Sequence, residues 1–82
     1  MNTQNTNGQL AEVVAAVLEL EPSEVNDGLT AEQVPVWDSF THVMLITRIE
    51  EAFGITFDPT EATSIKSVGD IRAILRKRGK EK

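Results

Sequence analysis

Apolar residues recur along this chain at helical rather than strand spacing. Leu10, Val13, Val14, Val17 and Leu18 follow the i, i+3, i+4, i+7, i+8 pattern of one buried stripe. Ala11, Ala15 and Ala16 add helix propensity and permit close approach. The pattern predicts a first helix over Gln9 to Leu20, stopped at or just before Glu21 by Pro22. A second run, Val36 to Phe53, carries Leu45, Ile46, Ile49 and Phe53 on one face. Gly54 supplies its C-terminal stop. Ile55-Thr56-Phe57 reads as extended and apolar. Asp58-Pro59-Thr60-Glu61 follows, with an N-cap, a proline at the first helical position and an acid at the third. That predicts a short helix over Pro59 to Ala62. Ser67-Val68-Gly69-Asp70 repeats the capping logic and opens a last helix over Val68 to Arg78. Its apolar face is Val68, Ile71, Ile74 and Leu75.

Between the first two helices lies a long connection, Glu21 to Trp37. Pro22-Ser23-Glu24 predicts a single turn, and Asn26-Asp27-Gly28 is a turn signal. Val25, Leu29, Val34 and Val36 are spaced irregularly and are expected to pin the loop to the core. The prediction is all-α: a four-helix bundle of three longer helices, one short helix and a long first loop.

Composition narrows the picture. The chain has 82 residues and no cysteine, so neither a disulfide nor a thiolate metal site can stabilise it. One histidine and acids without calcium-loop spacing leave no metal site. No apolar run approaches the ~20 residues of a membrane span. Residues 1–8 are polar, uncharged and rich in Asn, Thr and Gln, which predicts a disordered segment and no signal peptide, hence a cytoplasmic location. The net charge of −5 is uneven: residues 76–82 hold five basic side chains and one acid, while the rest hold three basic side chains and twelve acids. An acidic body disfavours nucleic acid and favours basic partner surfaces. The basic tail, residues 79–82, follows a domain over 9–78 and reads as a solvated helix end at the negative pole of the helix dipole.

Candidate chemistry gathers at the start of the second helix. Asp38 stands at the N-cap, where its carboxylate can accept from the N–H of Phe40 or Thr41. Ser39 lies in the first turn, and by residue type alone it is a helix cap. Asp38, Ser39 and His42 do not make a hydrolase triad, because neighbours on one helix lack base–nucleophile geometry and no oxyanion loop is present. His42 instead falls in the apolar arc. With Asp38 as cap, Trp37 and His42 occupy the two staple positions and are expected to pack together. At about 100° per residue, Phe40 and Met44 fall with Thr47, Arg48 and Glu51 on the outward stripe.

Asp38-Ser39-Phe40, the Glu50-Glu51-Ala52-Phe53-Gly54-Ile55 segment and the Ser67-Val68-Gly69-Asp70-Ile71 start of the last helix resemble the acyl carrier protein family. The resemblance covers about residues 9–76, with Phe40 in place of the family's leucine. It implies a non-enzymatic, monomeric carrier whose Ser39 bears 4′-phosphopantetheine, installed from coenzyme A by a phosphopantetheinyl transferase. Asp38 would be the motif aspartate that the transferase recognises. The arm would carry an acyl group as a thioester to acyl-loading and acyl-transferring enzymes. Phe40, Val43, Met44 and Glu51 would form the partner-binding patch. Fatty-acid-synthesis carriers usually have acids at the positions of Thr41 and Met44 and a small residue at Arg48. These departures suggest a specialised lipid, polyketide or surface-polymer pathway, and the Trp-Asp-Ser-Phe-x-His form resembles stand-alone carriers of that kind. The alternatives are an aminoacyl or peptidyl carrier and an unmodified helical interaction module.

Overall fold

The computed structural model describes residues 8–80. Four helices form: α1 (Gly8–Leu18), α2 (Ser39–Phe53), α3 (Pro59–Ser64) and α4 (Val68–Lys77). They enclose one core, in which Leu10, Val14, Leu18, Leu45, Ile49, Val68, Ile71 and Leu75 are the most deeply buried side chains. The all-α order is the one expected from the periodicity, and its acyl-carrier-like arrangement is the one the resemblance implies. The expected disordered segment, residues 1–8, lies outside the described residues except for Gly8, which is the first residue of α1. Of the expected tail, residues 81–82 lie outside them.

The buried face of α1 is turned from the expected stripe. Ala11 and Ala15 are buried with Leu10, Val14 and Leu18, whereas Val13 and Val17 only flank the core. Helix α1 packs against α2. Val13 and Val17 then line a groove of about 580 Å³ between the two helices. The helix also stops earlier than Leu20. Glu19 takes a left-handed conformation (φ 62°), and the Leu20 N–H returns to the Ala15 carbonyl at 2.9 Å. This is a Schellman closure with a glutamate where glycine is usual.

The connection to α2 is a series of short turns. One 3₁₀ turn spans Pro22–Glu24, as expected, and a second, which the sequence did not predict, spans Ala31–Gln33. Val25, Val34 and Trp37 are buried, and Leu29 is half-buried. Val36 is not the anchor it was expected to be: it is 41% exposed, because Val34 and Trp37 take the inward positions on either side of it.

The loop is fastened to α4. Ala31 N–H donates to the Lys66 carbonyl at 2.9 Å, Val68 N–H to Leu29 at 3.0 Å, and Gly69 N–H to Asp27 at 3.0 Å. Arg72, only 6% exposed, donates from Nε to Asp27 Oδ1 at 2.7 Å. The first N–H groups of a helix have no partner within it; here the loop carbonyls accept from two of them.

At the other end, α2 closes on Gly54 (φ 68°). Glu50 Oε2 accepts the Phe57 N–H at 2.8 Å, fixing the extended segment that buries Phe57. Helix α3 opens on the expected capping box of Asp58 and Glu61 but continues to Ser64 rather than Ala62. The basic end of α4 is not wholly solvated. Arg78 donates to the Thr56 carbonyl at 2.6 Å and pairs with Glu61, holding the end of α4 against the start of α3.

Candidate functional site

Asp38 caps α2 as its sequence position predicts. Its backbone is extended (φ −102°, ψ −172°), and Oδ1 accepts the Thr41 N–H at 2.9 Å. That N–H, with help from the Thr41 hydroxyl, holds the carboxyl below its ordinary range. Ser39 is therefore the first residue of α2, and it is exposed.

Beside Ser39 opens a cleft of about 1080 Å³. Trp37, Asp38, Ser39 and His42 form one wall, and Ile65 and Lys66 stand on the other. Trp37 and His42 meet as the staple positions predicted, with near-parallel rings 6.3 Å apart. The contact is more specific than packing. Trp37 Nε1–H donates to His42 Nδ1 at 3.0 Å. His42 Nε2 lies 2.7 Å from the Ala62 carbonyl in α3. An indole nitrogen can only donate, so Nδ1 accepts and Nε2 bears the proton. Both ring nitrogens are thus committed away from Ser39. The histidine cannot act as its general base, and the triad reading fails on chemistry as well as on spacing.

Phe40 is 74% exposed, Val43 64% and Met44 40%, so three large apolar side chains stand on the outer surface of α2 near Ser39. Thr47, Arg48 and Glu51 continue the exposed stripe. The structure thus brings Asp38 and Ser39 together at the cleft mouth, with Phe40, Val43 and Met44 on the adjoining face. Glu51, farther along the helix, lines the α1–α2 groove together with Met44 and Arg48. The sequence had not indicated Lys66 or the tie between His42 and Ala62. No local signal marks a side chain that reaches a carbonyl twenty residues on.

Among the described residues no group of three or more His, Cys, Asp or Glu could hold a metal ion, and no helix is long and apolar enough to cross a membrane. A covalently attached phosphodiester, by contrast, fits this site. The acceptor hydroxyl is exposed in the first turn, at the positive end of the α2 dipole. The adjoining cleft has room for an extended arm, and Lys66 offers a positive charge across it.

No curated protein matches the chain. A family model does: that of the phosphopantetheine attachment site, over residues 8–75, from the first residue of α1 almost to the end of α4. The chain belongs to this family of carriers, whose members bear 4′-phosphopantetheine covalently on a serine.

Proposed function

We propose that Ser39 is the attachment serine and that the chain is a stand-alone acyl carrier. The observation that carries this is an exposed serine at the first position of α2, behind an aspartate cap, in a chain of the attachment family. When bound, phosphopantetheine supplies a terminal thiol that holds an acyl group as a thioester. Asp38 fixes the helix start so that the Ser39 hydroxyl faces a modifying transferase. The carrier domain, residues 9–78, keeps the hydroxyl outside the core and catalyses nothing itself. Phe40, Val43, Met44 and Glu51 form the surface on which the transferase and the acyl-handling enzymes dock. The protein works as a cytoplasmic monomer and needs neither nucleic acid nor membrane.

Thr41, Met44 and Arg48 support a specialised lipid, polyketide or surface-polymer pathway. Bulk fatty acid synthesis favours a more acidic recognition helix. A stripe of apolar side chains suits partners whose contact surface is itself apolar.

The test is intact-protein mass after incubation with coenzyme A, magnesium and a broad-specificity phosphopantetheinyl transferase. One phosphopantetheine unit should be gained, and Ser39→Ala should gain none. Failure of several transferases on a folded sample would make the chain an unmodified interaction module. An aminoacyl or peptidyl group on the loaded arm would replace the acyl reading while leaving Ser39 in its role.

A further inference from the structure

The Trp37–His42–Ala62 chain joins three parts of the fold at one wall of the cleft. Trp37 belongs to the loop that leads into Ser39, His42 to the first turns of α2, and Ala62 to α3. The bond to Ala62 occupies a carbonyl near the end of α3, where a helix lacks internal partners. The bond from Trp37 holds the residue two positions before Ser39. Both require one tautomer of a neutral ring.

A second proton on His42 would enter at Nδ1. There it would set one N–H donor against the Trp37 N–H, with no acceptor between them. The bond to Ala62 would survive and the bond from Trp37 would be lost. Histidine is the one side chain whose charge ordinarily changes between about pH 5 and 8, and this chain has a single histidine and a single tryptophan.

The charged groups around the cleft are Glu32 on the second 3₁₀ turn, Asp38 at the head of α2, and Lys66 and Asp70 at the start of α4. On α3, Glu61 next to Ala62 is engaged by the Asp58 N–H, Arg78 and Lys77. Carboxylates and lysine keep their charge across that pH range.

We infer that His42 is a pH-responsive positioning residue: neutral, it clasps Trp37 and α3 along the cleft beside Ser39, and protonated, it releases Trp37 and opens that wall. Its effect on a Ser39-linked arm rests on the attachment reading; its effect on the cleft does not.

The experiment is Trp37 emission from the unmodified full chain between about pH 8 and 5, the histidine range, with helix content followed by circular dichroism. Emission should shift to the red as pH falls while helix content holds. His42→Gln supplies an acceptor and a donor without a titrating proton, and it should keep the high-pH emission throughout. Ser39→Ala should show the parent's transition, so failure of attachment leaves the clasp standing. Flat emission in the parent, or the parent's transition in His42→Gln, overturns the inference. Should His42→Gln not fold, the ring nitrogen spectrum of ¹⁵N-histidine in the parent decides. At high pH it must show the Nε2–H tautomer, and the Nδ1–H tautomer refutes the clasp.

Discussion

Gly69→Ala sets two physical effects of opposite sign against each other. Gly69 is the second residue of α4, and glycine within a helix costs about 1 kcal/mol relative to alanine. Propensity alone therefore predicts stabilisation. But a Cβ at this position would stand 3.0 Å from the Asp27 carbonyl oxygen and 3.6 Å from the Asp27 Cβ. That carbonyl has little freedom to retreat. It accepts the Gly69 N–H at 3.0 Å, and the Asp27 side chain is held by Arg72 at 2.7 Å. The surrounding turn is closed by Leu29 N–H on the Asn26 carbonyl at 3.0 Å and Gly28 N–H on Asn26 Oδ1 at 2.9 Å. Overpacking costs about 1–3 kcal/mol, and a weakened hydrogen bond adds about 0.5–1.5 kcal/mol. Together these outweigh the propensity gain, which is smaller in a first turn than in a helix interior. The expected net destabilisation is about 1–2 kcal/mol, and each kcal/mol lowers Tm by about 4–8 °C in a domain of this size. Urea titration of both proteins gives the value. Ala73→Gly, at an exposed position of the same helix, calibrates propensity alone. A Gly69→Ala protein more stable than the parent would refute the argument, because it would mean that the loop yields freely.

Other substitutions test other parts of the fold and the site. Glu19→Gly should raise stability by about 1 kcal/mol, since it removes a left-handed non-glycine residue and a negative charge from the negative end of α1; an unchanged or lower melting temperature would contradict the Schellman closure. Glu61 is held below the ordinary carboxylate range, first by the Asp58 N–H and then by Arg78 and Lys77. A lowered folded-state pKa gives stability that is present above the unfolded value and lost as pH falls through the folded one. Glu61→Gln should therefore flatten the acid limb of a melting-temperature profile taken downward from about pH 7. Met44→Glu should leave loading of Ser39 intact and slow transfer by a cognate acyl-handling enzyme by about tenfold or more, the loss typical of a contact that carries interface energy. Unchanged transfer would remove Met44 from the docking surface.

Much of this architecture is legible in the one-dimensional pattern. The periods of Leu45, Ile46 and Ile49 and of Val68, Ile71 and Leu75 locate two core faces. Asp38, Gly54, the Asp58–Glu61 box and Ser67 mark ends that form where local chemistry places them. The misses share a cause. Arg72 is buried because Asp27, forty-five residues away, meets its guanidinium, and nothing near Arg72 signals that partner. The buried face of α1 takes in Ala11 and Ala15, while Val13 and Val17, which hydrophobicity alone would place inward, line the groove beside α2. Glu19 ends α1 without glycine, since the closing bond from Leu20 to Ala15 offsets the strain. At the site, Asp38 and Ser39 are local features and readable. The bond from His42 to Ala62 depends on where α3 docks, which a helical wheel cannot contain.

The long first connection links these levels. A loop of this length in a small domain carries an entropic cost, which falls if the loop does structural work. Here it adds backbone acceptors to the Ser67 side-chain cap of α4. Leu29 and Asp27 supply carbonyls to the N–H groups of Val68 and Gly69, and Asp27 also neutralises the buried Arg72. Those bonds fix the middle of the loop. Val34 and Trp37, buried further along, fix its end. The backbone then has little choice about where Asp38 turns into α2, and Ser39 follows at once. The position of the exposed serine is thus set in part by α4, thirty residues later in the chain. In that linkage the Gly69 N–H lies 3.0 Å from the Asp27 carbonyl, with no room for a side chain between them. A substitution there that displaces the loop should therefore also slow transferase loading of Ser39, although Gly69 lies outside both the cleft and the apolar patch.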